Sequence, residues 1–156
     1  LRIEFRDFYE IGIDLGSANP LKIDSKYMNR FVRPGSWKMA GIQTRKVGEI
    51  RVLVYTSTGI NQVSLEDSPI YQSLVQNSRD IYDQYRRTVL THDPQNDNDW
   101  DRFQTLLENI RSEGFDMSRP LVTHGSDHCL VDGQHRASIL LYLFSADTTV
   151  KVVHYV

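Results

Sequence analysis

The order of the elements after residue 99 restricts the fold of this chain more than any other feature of its sequence. The residue pattern there predicts, in order, a helix over 100–113, a β-hairpin over 120–131, an Asp132-Gly133 turn, a helix over 134–144 and a strand over 150–156. The first helix is the clearest, because Gly114 supplies a C-terminal stop and one face is apolar: Trp100, Phe103, Leu106, Leu107 and Ile110. This order places a direct passage from a strand into a helix at Asp132-Gly133.

The first 99 residues carry signals for fewer elements. Glycine and proline punctuate residues 1–49 every few positions, which indicates an irregular segment of short strands and turns. The apolar, β-branched run at 50–56 predicts a buried strand. Ser68-Pro69 has the residue types of an N-cap and a first helical position, and Asn77-Ser78 splits the apolar pattern that follows into two helices. A polar loop at 92–99 then leads into the helix at Trp100.

Composition and charge exclude several classes of protein. The 156 residues are 40% hydrophobic and 24% charged, as in one soluble globular domain. Cys129 is the one cysteine, so an internal disulfide is excluded, and no apolar run is long enough to span a membrane. We therefore expect a cytoplasmic protein without a membrane partner. Residues 1–51 hold ten Lys or Arg against six Asp or Glu, but the net charge of −2 argues against a protein that coats nucleic acid.

The segment Asp132-Gly133-Gln134-His135-Arg136 carries the strongest chemical signal. The first backbone N–H groups of a helix lack partners and lie at the positive end of its dipole, so such a turn can hold an anion. Gly133 lets the backbone approach that anion, and His135 and Arg136 add charge-assisted donors. Asp132 can hold Mg²⁺ or orient a hydroxyl. Phosphate fits this set better than carboxylate, because it offers more oxygens to several donors.

The alternative is a purely structural turn. In that case Asp132 caps the helix, Gly133 makes the turn, and His135 and Arg136 are solvated residues of the first helical turn. Two cations at the N-terminus of a helix are unfavourable with its dipole, and this favours an anionic ligand.

At these residues the sequence resembles the ParB/sulfiredoxin-like fold. In that fold an amphipathic helix ending in glycine precedes a hairpin, and a turn of the Gly-x-His-Arg type opens the next helix over a nucleotide phosphate. The resemblance covers residues 100–156, with 106–114 similar to the family's helix end and 132–136 similar to its phosphate turn. Ile23-Asp24, 31–37 and 67–71 are similar to ParB-like proteins found beside polysaccharide genes.

Departures from the family separate its activities. Sulfiredoxins have cysteine where this chain has Gln134, so sulfinic acid reduction is not expected. Chromosome-partition proteins have Glu-Arg-Arg where this chain has Gln134-His135-Arg136, and they continue into a helix-turn-helix domain. The nearest short match is the Asp-Gly-His-His-Arg motif of free-serine kinases of this fold. Proteins named for an Asp-Gly-Gln-His-Arg motif, linked to DNA modification and restriction, share the same letters.

The resemblance implies an α+β fold with a small mixed β-sheet and flanking helices, in a single domain over 1–156. We divide it into an irregular segment (1–49), a strand with helices (50–99) and a phosphate-binding core (100–156). The implied function is NTP-dependent phosphoryl chemistry, either hydrolysis or transfer to a small hydroxylated acceptor, with ATP or another NTP and Mg²⁺. The alternative is a nucleotide-sensing or DNA-associated module with little turnover.

The resemblance also implies roles for particular residues. Asp132 and His135 match the acid and the histidine at the transferred phosphoryl group, and Glu66, or its neighbour Asp67, is the candidate base. Nucleotide binding is assigned to Gly133, Gln134, His135 and Arg136, and the metal to Asp132. We expect Arg136→Ala to weaken nucleotide binding severely and to leave the fold intact.

Other candidate residues have a structural interpretation. The spacing of His124, Asp127, His128 and Cys129 around the hairpin turn matches no standard zinc pattern. Tyr71, Tyr82 and Tyr85 recur at helical spacing and are interpreted as core, and the basic pair Arg86-Arg87 is interpreted as solvated surface.

Overall fold

A computed structural model of the chain describes residues 39–89 and 99–156, and these contain six strands and four helices. The strands are β1 (Met39–Lys46), β2 (Arg51–Thr56), β3 (Gly59–Ser64), β4 (Leu121–His124), β5 (Cys129–Asp132) and β6 (Thr149–Tyr155). The helices are α1 (Pro69–Val75), α2 (Arg79–Val89), α3 (Asp99–Glu113) and α4 (Gln134–Leu143). None of these four helices is long and apolar enough to cross a membrane. The predictions made for residues 1–38 and 90–98 lie outside the described residues.

All six strands form one mixed sheet in the order β1-β6-β4-β5-β2-β3. Antiparallel pairs form between β1 and β6, between β4 and β5, and between β2 and β3. Parallel pairs join β4 to β6 and β2 to β5. The predicted hairpin and the predicted α+β class with a mixed sheet are therefore confirmed.

Short-range signals set the ends of the helices where the sequence predicted them. The Ser68 hydroxyl accepts a hydrogen bond from the Tyr71 N–H at 3.4 Å, and Pro69 takes the first helical position of α1. Asn77 has a φ of 47°, which ends the helical path between α1 and α2. Gly114 has a φ of 85° directly after α3, the left-handed conformation that favours glycine at this position.

Two strands, β1 and β3, were not predicted as separate elements. β1 falls inside the segment predicted to be irregular, and its sequence Met-Ala-Gly-Ile-Gln-Thr-Arg-Lys has no apolar alternation. β3 is mostly exposed. Both lie at the edges of the sheet and pair with one neighbour each, so their backbone hydrogen bonds rather than side-chain burial define them.

The core lies between the helices and one face of the sheet. Leu121, Val152 and Leu130 come from neighbouring strands and pack in one cluster with residues of α3 and α4. On the opposite face, Val122 and Val153 are also fully buried. The central strands β4 and β6 are thus covered on both sides, and this holds the passage from β5 into α4 in place.

Candidate functional site

A cleft of about 560 Å³ lies where β5 passes into α4. It is lined by Leu53, Tyr55, Arg86, His124, Cys129, Leu130, Val131, Asp132, Gly133, Gln134 and His135. The parallel strands β2 and β5 pair at Arg51 and Cys129. Beyond that pair, toward their carboxyl ends, both strands contribute side chains to the cleft: Leu53 and Tyr55 from β2, and Leu130, Val131 and Asp132 from β5. Ligands of open sheets with helices bind at the carboxyl ends of parallel strands, and the cleft volume is that of a small-molecule site.

The turn itself has a backbone that requires glycine. Gly133 has a φ of 101°, and a Cβ there would overlap the Leu121 side chain. Gly133 is the N-cap residue of α4 and has no side chain with which to cap it, and the first backbone hydrogen bond of the helix runs from the Ala137 N–H to the Gly133 carbonyl at 2.8 Å. The N–H groups of Gln134 and His135 therefore precede the hydrogen-bond ladder at the positive end of the helix dipole. The structure places Gly133 rather than Asp132 at the N-cap position, and the Asp132 carboxylate pairs with Arg136 at 3.1 Å.

Arg136 lies behind the cleft-lining residue Asp132 and does not line the cleft itself. Its guanidinium forms an ion pair with the Asp132 carboxylate at 3.1 Å and donates a hydrogen bond to the Arg119 carbonyl. The guanidinium carbon is 5.5 Å from the centre of the Phe115 ring. Arg136 thus reaches the cleft only through Asp132 and is not itself among the described residues that line it. Because these contacts tie the start of α4 to the segment before β4, we no longer expect Arg136→Ala to leave the fold unaffected.

His135 lines the cleft but carries no positive charge at pH 7. Burial lowers its pKa to about 4, and the nearby Arg86 guanidinium acts in the same direction. Its Nε2 lies 3.0 Å from the Tyr82 hydroxyl. The sequence analysis assumed two cations in the first turn of α4. That assumption is wrong, because His135 is neutral and the charge of Arg136 is paired with Asp132.

Helix α2 supplies three side chains that the sequence did not assign to the site. Tyr82 contacts His135, the Gln134 amide acts on the Tyr85 hydroxyl, and Arg86 lines the cleft. Their spacing of i, i+3 and i+4 puts them on one helix face, and this is the signal in the sequence that could have indicated them.

The sequence predicted Tyr82 and Tyr85 as core residues and Arg86-Arg87 as solvated surface, and the structure confirms this in part. Tyr82 and Tyr85 are buried, as predicted. Arg87 is exposed, as predicted for the whole basic pair, but Arg86 is half-buried and pairs with Asp99 at 3.5 Å. Arg86 therefore supplies the guanidinium that the sequence assigned to Arg136.

Gln134 is held with its amide nitrogen buried. That nitrogen makes no hydrogen bond of good geometry with the described residues, although the amide interacts with the Tyr85 hydroxyl and lowers its pKa. Burial outweighs this contribution and raises the pKa of Tyr85. The Gln134 amide nitrogen is therefore a buried polar group without a well-formed hydrogen bond among the described residues.

The carboxylates predicted to act with Asp132 lie elsewhere. Glu66 is exposed on the short turn before α1 and does not line the cleft, and its neighbour Asp67 accepts a hydrogen bond from Ser64 at 2.8 Å. Among the described residues, Asp132 is the one carboxylate that lines the cleft. The described residues hold no group of three His, Cys, Asp or Glu side chains that could bind a metal ion by themselves.

The cleft therefore combines backbone donors at a helix N-terminus, one guanidinium, one carboxylate and the exposed side chains Leu53 and Tyr55. This combination can hold a polyanion at one end and a flat or apolar group at the other. No protein-family model, no curated protein and no solved structure matches this chain.

Proposed function

We propose that this chain is a nucleotide-binding domain of the ParB/sulfiredoxin-like type, with NTP-dependent phosphoryl chemistry at the turn 132–136. The observation that carries the proposal is the cleft at the start of α4, which brings Gly133, Gln134 and His135 together with the Arg86 guanidinium. The order of helix, hairpin, turn, helix and strand in a mixed sheet supports the fold assignment.

The phosphates bind at the first turn of α4 in this proposal. The N–H groups of Gln134 and His135 donate to phosphate oxygens, and Arg86 from α2, which also lines the cleft, adds a charged donor. Tyr55 and Leu53 also line the cleft and are both about 40% exposed, so that a base or ribose can pack on them.

A magnesium ion fits this site only together with the nucleotide. Magnesium is commonly held by one or two carboxylates plus substrate phosphates, and Asp132 is the carboxylate that the cleft offers. When bound there, the ion would offset the negative charge that develops on the phosphates.

The protein's own part in the reaction is positioning. Phosphoryl transfer needs little covalent chemistry from the enzyme, so donors fixed around the phosphates and exclusion of water supply most of the acceleration. Asp132 is held by its ion pair with Arg136, which keeps the carboxylate at the mouth of the turn. The acceptor is water or a small hydroxylated molecule.

Thermal melting in the presence of Mg-ATP, Mg-ADP, Mg-CTP and Mg-GTP tests nucleotide binding. A ligand at a hundred times its Kd adds about 2.7 kcal/mol to the free energy of unfolding, so the binding nucleotide raises the Tm visibly. If none of the four raises the Tm, the proposed function is refuted and the turn is structural.

Arg86→Ala and Arg87→Ala form a matched pair for locating the site. The two arginines are neighbours in α2, but only Arg86 lines the cleft. We expect Arg86→Ala to weaken binding of the stabilising nucleotide roughly tenfold or more, as for a charged hydrogen bond. Arg87→Ala should bind as the wild type does. Equal losses in both variants would mean that the effect is general electrostatics rather than contact.

Turnover is measured separately with the nucleotide that binds. Release of inorganic phosphate without an acceptor indicates hydrolysis, and release of the diphosphate only with a hydroxylated acceptor such as free serine indicates transfer. Binding without either reaction would favour the nucleotide-sensing module instead.

A further inference from the structure

The pair formed by Tyr82 and His135 is the most tightly defined contact at the edge of the cleft. The Tyr82 hydroxyl lies 3.0 Å from Nε2 of His135. Tyr82 is stacked on Phe103 with ring centres 5.2 Å apart, and Phe103 meets His135 edge-on at 5.0 Å. Trp100 closes the cluster at 5.5 Å from Tyr82. Packing on several sides therefore fixes both rings of the hydrogen-bonded pair.

The direction of this hydrogen bond follows from burial. Tyr82 is only 2% exposed, and among the described residues Nε2 of His135 is the one partner of its hydroxyl. If His135 donated, the phenol hydrogen would be buried without an acceptor, which costs about 1–3 kcal/mol. Tyr82 therefore donates and Nε2 accepts. A neutral imidazole that accepts at Nε2 carries its proton on Nδ1.

Both groups stay neutral over the physiological range. Burial lowers the pKa of His135 to about 4 and raises the pKa of Tyr82 to about 12. The tautomer of His135 is thus set by its neighbour and does not change with titration near pH 7.

We infer that Tyr82 is a positioning residue that holds His135 in the neutral Nδ1–H tautomer, so that the ring presents an N–H donor to an anionic oxygen in the cleft. Nδ1 makes no hydrogen bond with the described residues, and His135 lines the cleft. The donor is uncharged, so it adds to the backbone N–H groups of α4 without the repulsion that a cation meets at a helix N-terminus. The tautomer does not depend on the proposed function, whereas the role of the donor rests on it.

The tautomer is measured first, in the wild-type protein without nucleotide. Long-range ¹H–¹⁵N correlation spectra of the ¹⁵N-labelled protein at pH 7 distinguish the three protonation states of each of the five histidines. The His135 signals are assigned by their loss in His135→Gln. We expect a protonated Nδ1 and an unprotonated Nε2. A protonated Nε2, alone or together with Nδ1, overturns the inference.

Tyr82→Phe tests the role of the hydroxyl, with Tyr142→Phe as the matched control. The Tyr142→Phe substitution also removes one phenol hydroxyl, but on the exposed side of α4, where Tyr142 is 41% exposed. In Tyr82→Phe we expect a shift of His135 toward the Nε2–H form and a rise of roughly threefold to tenfold in the Kd of the Mg-nucleotide that stabilises the wild type. Tyr142→Phe should change neither quantity. An unchanged tautomer in Tyr82→Phe overturns the inference.

The two proposals fail in different ways. If the wild type has the Nδ1–H tautomer, Tyr82→Phe shifts it, and none of the four nucleotides binds, the proposed function fails and the positioning by Tyr82 stands. If nucleotide binds but His135 has the Nε2–H form, the positioning fails and the proposed function stands. If Tyr82→Phe does not fold, the wild-type spectrum still decides the tautomer.

Discussion

Gly133→Ala should destabilise the protein because this position combines a left-handed backbone with a close neighbour. The φ of 101° costs an L-residue about 1–2 kcal/mol. The added methyl group would also overlap the Leu121 side chain, which is fully buried, and would lie 3.1 Å from the Arg136 guanidinium. Forcing a methyl group into a packed core costs about 1–3 kcal/mol. We therefore expect a loss of about 2–5 kcal/mol in the free energy of unfolding, measured by urea denaturation.

Gly114→Ala is the control that separates the two causes. Gly114 has a φ of 85°, but a Cβ there meets nothing within 4 Å. Its loss should be about 1–2 kcal/mol, the backbone cost alone. The effect of alanine on the unfolded chain is the same in both variants and cancels in the comparison. If Gly133→Ala costs no more than Gly114→Ala, the steric argument is refuted.

A second substitution at the neighbour tests the overlap directly. Leu121→Val shortens the side chain that the alanine methyl group would meet. The double variant should therefore lose less stability than the two single losses added together, with a coupling of about 0.5–3 kcal/mol. Additive losses would show that the methyl group is accommodated in another way.

Three further predictions concern burial. Because the pKa of His135 is lowered to about 4 in the folded state against 6.5 in the unfolded chain, the unfolded state binds more protons and stability falls as the pH drops from 6.5 toward 4. Urea unfolding at pH 7 and pH 5 should show about 2 kcal/mol of this loss in the wild type and not in His135→Gln, and equal losses would contradict it. Burial raises the pKa of the Cys129 thiol, so alkylation by iodoacetamide at pH 7 should be slower than for a free cysteine. Because Cys129 lines the cleft, a bound Mg-nucleotide should slow alkylation further. If the bound nucleotide leaves the rate unchanged, the nucleotide binds outside the cleft. Ile139 is fully buried, so Ile139→Ala should cost about 2–5 kcal/mol in urea denaturation, whereas the exposed Tyr142→Ala should cost less than about 1 kcal/mol.

Most elements were predictable because their signals act over a few residues. A serine followed by proline starts α1, a left-handed glycine ends α3, and a Gly-Ser-Asp turn joins β4 to β5. β1 and β3 lack such signals. They are defined by pairing with β6 and β2, and the partner of β1 lies about a hundred residues away in the chain. A single sequence does not display that pairing.

The candidate site also has one part that was predictable from adjacent residues and one part that was not. The turn from β5 into α4, with Gly133 at the bend, was predicted from adjacent residues and is present. The contribution of helix α2 to the site was not predicted, because Tyr82 and its partner His135 are 53 residues apart in the chain. Arg86 of α2 enters the cleft through tertiary packing, in which Tyr82 contacts His135 in the first turn of α4.

The sequence by itself determined where most helices and strands begin and end, and where a strand passes directly into a helix. The tertiary structure decided which side chains face the cleft and which charges they carry. Arg136 belongs to the predicted motif, yet it turns to Asp132 and Phe115, and Arg86 lines the cleft. His135 is neutral because burial disfavours its charged form. Side-chain direction and pKa both depend on neighbours that are distant in the chain, and the local sequence carries no record of them.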